Sequence, residues 1–153
     1  MTFQDQMLAQ RLGFFGLIPF ILLAAGPWVF YEHTAVLLQA FRLYSALILA
    51  FTAGILWGVR LSGREPGRNS DAAGLWVAAG IAGVALASLF IPTRLALVAL
   101  VAAFIFLLQW ERRTVFPVRA EDGYAAMRQR LTWTAVACHL LAFWNLWLPP
   151  AQV

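Results

Sequence analysis

Lysine is missing from the chain: its eleven basic residues are all arginine. Cysteine occurs once, as Cys138, which excludes an internal disulfide. Histidine occurs twice, at His33 and His139, and Asp and Glu together only seven times in 153 residues. With titratable groups this sparse, there is no HExxH, no CxxC, no carboxylate pair within an apolar run and no Gly-rich phosphate loop. No catalytic residue, metal site or cofactor is therefore expected. Cys138 and His139 are neighbours, and on a helix they point about 100° apart, a poor arrangement for a nucleophile and its base.

Charged residues make up 12% of the chain, against about a quarter in soluble domains. The net charge of +4 and pI near 10.2 would suit a nucleic-acid binder. The arginines, however, sit in short stretches between apolar runs and make no continuous basic face, which excludes that class.

Apolar residues fill the space that charge leaves. Hydrophobic residues are 62% of the chain and the mean hydropathy is +0.75, more apolar surface than a soluble domain of this length can bury. A helix needs about 20 apolar residues to cross the hydrocarbon core. Five runs approach that length, near residues 12–31, 43–60, 72–91, 95–110 and 131–148. The expected fold is an all-α integral membrane protein, one domain over residues 1–153, built as a five-span transmembrane helix bundle. Pro19 should kink the first span, Pro92 closes the third, and Pro149 and Pro150 stop the fifth. The first run is long for a signal peptide and carries Pro27 after its best cleavage motif, so it reads as a retained span. Thr34 to Phe41 either extends the second span or lies along the interface, and the interface is favoured because a continuous helix would draw Arg42 into hydrocarbon.

Five spans put Arg11, Arg60, Arg64, Arg68, Arg112, Arg113, Arg119, Arg128 and Arg130 on one side, and only Arg42 and Arg94 on the other. The positive-inside rule makes the arginine-rich side cytoplasmic, or matrix-facing in a mitochondrion, hence N-in/C-out. Trp57, Trp76, Trp110 and Trp133 cluster at that interface, and Trp28, Trp144 and Trp147 at the opposite one.

Small residues recur at four-residue spacing inside the spans. Ala46, Ala50, Gly54 and Gly58 form one ridge, Ala79, Gly83 and Ala87 another, and Ala99 with Ala103 a short third. Leu against Leu gains little when lipid tails are as apolar as Leu, so helices associate through close backbone approach along such ridges. The ridge of the second span should pack within the bundle. The third-span ridge suits the bundle or a separate membrane protein equally.

Several stretches resemble a family of small bacterial inner-membrane proteins described as a domain of unknown function, DUF3429, whose mitochondrial relatives are called transmembrane protein 69. They are "LGFFGLIPF" at residues 12–20, "YSALILAFTAGILWG" at 44–58, "LLQWERR" at 107–113 and "MRQRLTW" at 127–133. Departures from the family pattern fall at Ser45, Ala50, Thr52 and Ala53, and at Leu56, where many members have His. The resemblance implies fold and location and adds no reaction.

His139 is the single imidazole expected at membrane depth, since His33 falls at the outer interface. It is a candidate cofactor contact for haem or quinone, or a packing group hydrogen-bonded to Thr52 or Ser88. Asn145 reads as a second packing polar group. At the cytoplasmic ends Arg60, Arg64, Glu111, Arg112, Arg113, Arg128 and Arg130 form a surface for anionic lipids or for a partner. Glu111 is expected to pair with Arg60 or a neighbour. The segment "AEDGYAAMRQ" reads as an interfacial helix anchored by Tyr124.

Good packing surfaces, a charged rim and no catalytic apparatus give three expectations. The leading one is a non-enzymatic accessory subunit or assembly factor of a larger membrane complex, with the lipid bilayer and other membrane proteins as partners. The second is a small transporter or channel working as a homo-oligomer, and the third a redox protein using His139.

Overall fold

The computed structural model describes residues 11–62, 72–115 and 123–147, all of them helix, turn or short connection; no strand occurs among the described residues. A helical stretch over residues 11–15 is interrupted at Gly16. Helix α1 then spans Leu17–Val29, and a 3-10 turn, Tyr31–His33, leads into α2, Thr34–Ser62. Helices α3, Ala72–Ala87, α4, Thr93–Thr114, and α5, Tyr124–Asn145, follow. Three stretches are long and apolar enough to cross a membrane: Arg11–Val29, Tyr31–Leu61 and Thr93–Thr114. Helix α3 is apolar but has only 16 residues, and α5 carries Arg128 and Arg130 in its first two turns.

The break at Gly16 lies one turn before Pro19, where a proline weakens a helix. Pro19 offers no N–H to the carbonyl of Phe15 and its ring crowds that carbonyl. The kink expected of Pro19 thus appears as the turn at Gly16, and Tyr44 Oη donates a 2.7 Å hydrogen bond to the Gly16 carbonyl there.

Residues 34–41 overturn one expectation. They are the first turns of a single 29-residue helix and do not form a separate interfacial segment. At 1.5 Å per residue α2 is about 43 Å long, more than the roughly 30 Å of a hydrocarbon core. Arg42 is accommodated because it reaches backbone acceptors. Its Nη1 donates to the carbonyl of Ile91 at 3.0 Å and to Thr93 Oγ1 at 3.4 Å, and its Nη2 to the carbonyl of Leu89 at 3.2 Å. Those carbonyls are freed where α3 ends short of Pro92, so the third apolar run is helix to Ala87 and turn from there to Ile91. The interfacial helix expected around Tyr124 is likewise the start of α5, and residues 120–122 of it lie outside the described residues.

Neighbouring helices define a ring. Helix α1 packs on α2 and α5, and α4 packs on the same two, so α1, α2, α4 and α5 close a four-helix bundle with α2 and α5 on one diagonal. Helix α3 stands outside this ring, against α2 along its length and against α4. Buried side chains from all four ring helices fill the axis, among them Phe20, Phe41, Leu49, Leu56, Leu100, Phe104, Leu107 and His139.

Close approaches fix the ends. A Cβ at Gly13 would meet Leu131, one at Gly26 would meet Leu37, and one at Gly74 would meet Arg60. Glu111 pairs with Arg128, and Arg94 Nη2 donates to the Leu146 carbonyl. Successive helices therefore run up and down. Arg11, Arg60, Arg112, Arg113, Arg128 and Arg130 gather at one end, with Arg42 and Arg94 at the other. Arg64, Arg68 and Arg119 lie outside the described residues.

Candidate functional site

Two buried polar centres and one outward face carry the residues that could act. The first centre is on the bundle axis. His139, fully buried on α5, has its Nδ1 2.7 Å from the carbonyl of Ala135, one turn earlier. A carbonyl only accepts, so Nδ1 carries the proton, and in the neutral ring Nε2 is the acceptor. Ser45, buried on α2, donates its Oγ–H to that nitrogen at 2.6 Å. Phe41, Phe104 and Phe20 enclose the imidazole, with ring centroids 4.8, 5.7 and 5.9 Å away. Each ring helix thus supplies a side chain to this layer.

The partner of His139 is not the one expected. Thr52 Oγ1 donates to the carbonyl of Leu49, and Ser88 Oγ to that of Ala85, each turned back on its own helix. A helical hydroxyl always has such a carbonyl within reach, and neither residue meets the diagonal. Ser45 does. An axial ligand to haem would need the Nε2 lone pair that Ser45 already occupies.

The second centre lies at the arginine-rich end. Glu111, in the last turn of α4, is 2% exposed, and its Oε2 accepts from Arg128 Nε on α5 at 2.7 Å. Glu111 is thus paired with Arg128 of the neighbouring helix, and Arg60 lies against Gly74 of α3. Both members of the pair are withdrawn from the surface on which the sequence placed them. Arg112, Arg113 and Arg130 remain exposed, Arg60 is partly buried, and Arg64 lies outside the described residues. Among the described residues no group of three His, Cys, Asp or Glu could hold a metal ion.

The small-residue ridges divide. Ala46 is buried and Ala50 packs on the core, whereas Gly54 and Gly58 are exposed with nothing within 4 Å of a Cβ built on either. Residues four apart advance about 40° around a helix of 3.6 residues per turn. From Ala46 to Gly58 the stripe therefore turns through about 120°, out of the bundle. Hence the expectation that the second-span ridge packs internally holds for its first half only.

On α3 the core-facing set is Gly74, Ala78, Ile81 and Ala85. Ala79, Gly83 and Ala87 lie opposite and are all exposed, with open space beyond Gly80 and Gly83. Trp76 and Phe90 are exposed near the two ends of that face.

No curated protein and no solved structure matches the chain. The family model described as Protein of unknown function (DUF3429) matches residues 6–144. That match covers α1 to α4 and all but the last residue of α5, and the chain belongs to the DUF3429 family.

Proposed function

We propose that the chain is a non-enzymatic accessory subunit or assembly factor that binds another membrane protein through the outward face of α3. The observation that carries this reading is the position of α3 outside the closed ring, with Ala79, Gly83 and Ala87 turned away from every other helix. A bare small-residue face gains nothing from lipid and allows close approach of a partner backbone. Gly54 and Gly58 add a second open surface on α2.

In the same reading the bundle crosses a bacterial inner membrane five times, N-in/C-out. Helices α3 and α5 are then the third and fifth crossings, added to the three longer apolar stretches, and the arginine-rich end faces the cytoplasm. Exposed Arg112, Arg113 and Arg130 would meet anionic headgroups there, at about 1 kcal/mol each. The engagement of both His139 nitrogens weighs against the redox alternative, and the side chains filling the ring axis weigh against a pore within one copy.

Site-specific photo-cross-linking tests the docking face. A photoreactive residue at Ala79, Gly83 or Ala87 should give one discrete adduct with a different membrane protein, and the same probe at Val98, exposed on α4, should give lipid adducts only. Equal labelling from both faces would remove the reading. A homodimer adduct from α3 would favour the homo-oligomeric transporter.

A further inference from the structure

Among the described residues four hydroxyl side chains are buried: Ser45, Thr52, Ser88 and Thr132. The first three are hydrogen-bonded, to His139 or to their own helix. Thr132 alone of these has no hydrogen-bond partner among the described residues, although a backbone carbonyl one turn back was open to it as it was to the others. One turn before it on the same inner face of α5 lies Arg128, whose Nη2 is buried and without a partner too. Residues at i and i+4 lie on one face of a helix, about 6 Å apart along the axis, so both groups belong to the inner face of α5, one turn apart. The adjoining Glu111 is held by Arg128 through a single N–H···O contact, from Nε to Oε2, and no two-pronged fork forms.

An N–H that must donate and a hydroxyl that can donate and accept thus share the inner face of α5, where Arg128 and Glu111 of α4 make a net-neutral pair. Buried polar groups in native proteins are paired with protein or with ordered water, and a water molecule typically takes two to four polar partners. Neutrality disfavours an anion, whose charge the carboxylate of Glu111 would repel.

We infer that Arg128 and Thr132, beside Glu111, form a binding site for an ordered water, and that this site marks the depth to which water enters the bundle from its arginine-rich end. The water accepts from Arg128 Nη2 and bonds the Thr132 hydroxyl. His139 lies seven residues further along the same face, about 10 Å, with both ring nitrogens engaged and three phenylalanines around it. Its layer is dry.

A crystal structure of the full chain at about 2 Å resolution, paired with that of Thr132→Val, tests this. The valine side chain keeps the shape of threonine and lacks the hydroxyl, so the fold is retained. The wild type should show a density peak at hydrogen-bonding distance (roughly 2.6–3.2 Å) from both Arg128 Nη2 and Thr132 Oγ1, with none around the His139 ring, and the peak should vanish in the variant. Direct pairing of Arg128 and Thr132 with no peak between them would overturn the inference. So would a peak that survives in Thr132→Val, or density too large for water.

Discussion

Ser45 on α2 and His139 on α5 are hydrogen-bonded at 2.6 Å across the diagonal of the four-helix ring, between helices whose backbones otherwise scarcely meet. The bond ties together two elements separated by 94 residues, and the Ala135 carbonyl fixes the imidazole that receives it. Interhelical hydrogen bonds in membranes are worth about 0.6–2 kcal/mol. Ser45→Ala should destabilise by about that amount, read by unfolding in mixed micelles. His139→Leu should cost more, because it also disturbs the aromatic layer, and adding Ser45→Ala to it should cost little further. Additive losses would show that the two side chains are not coupled.

Glu111 and Arg128 test a different balance. Truncating one member of a buried pair strands the other's charge, at about 3–5 kcal/mol, whereas replacing both with apolar residues is often neutral. Glu111→Ala should therefore unfold the bundle far more readily than the double variant Glu111→Leu with Arg128→Met. A double variant no more stable than the single one would contradict the assignment.

Gly74 and Gly83 lie on opposite faces of α3. A Cβ at Gly74 would stand 2.8 Å from Arg60 Nε and 3.1 Å from its Cδ, whereas one at Gly83 meets nothing within 4 Å. Gly74→Val should force the Arg60 side chain out of its place against α3 and destabilise by about 1 kcal/mol. Gly83→Val should leave the midpoint of unfolding unchanged. Equal effects would mean that α3 is turned otherwise.

Arg42 holds the turn between α3 and α4 through the carbonyls of Leu89 and Ile91. Arg42→Met removes these contacts, and the amides of Leu89 and Phe90 should exchange with deuterium faster while those of α4 keep their rates. Unchanged exchange at both would show that the turn stands without Arg42.

Much of this arrangement is visible in the apolar pattern. The runs fall where the helices fall, and the distribution of arginine separates the two ends, because both depend on residues close in the chain. The partners do not. Whether Glu111 meets Arg60 or Arg128 depends on how the ring closes, and three buried hydroxyls at plausible depth leave the choice for His139 open. The Ala46–Gly58 stripe misled because four-residue spacing drifts on a straight helix. Arg42 misled for another reason: its acceptors are carbonyls in the turn between α3 and α4, about fifty residues away.

Native mass spectrometry of the protein released from its own membrane in a mild detergent tests the central claim, that α3 docks a partner, most directly when wild type and Gly83→Leu are compared. The wild type should carry a second, different subunit at fixed stoichiometry, and the variant, its monomer equally stable, should have lost it. A wild type found alone or only as a homo-oligomer, or a variant that keeps the foreign subunit, would contradict the account.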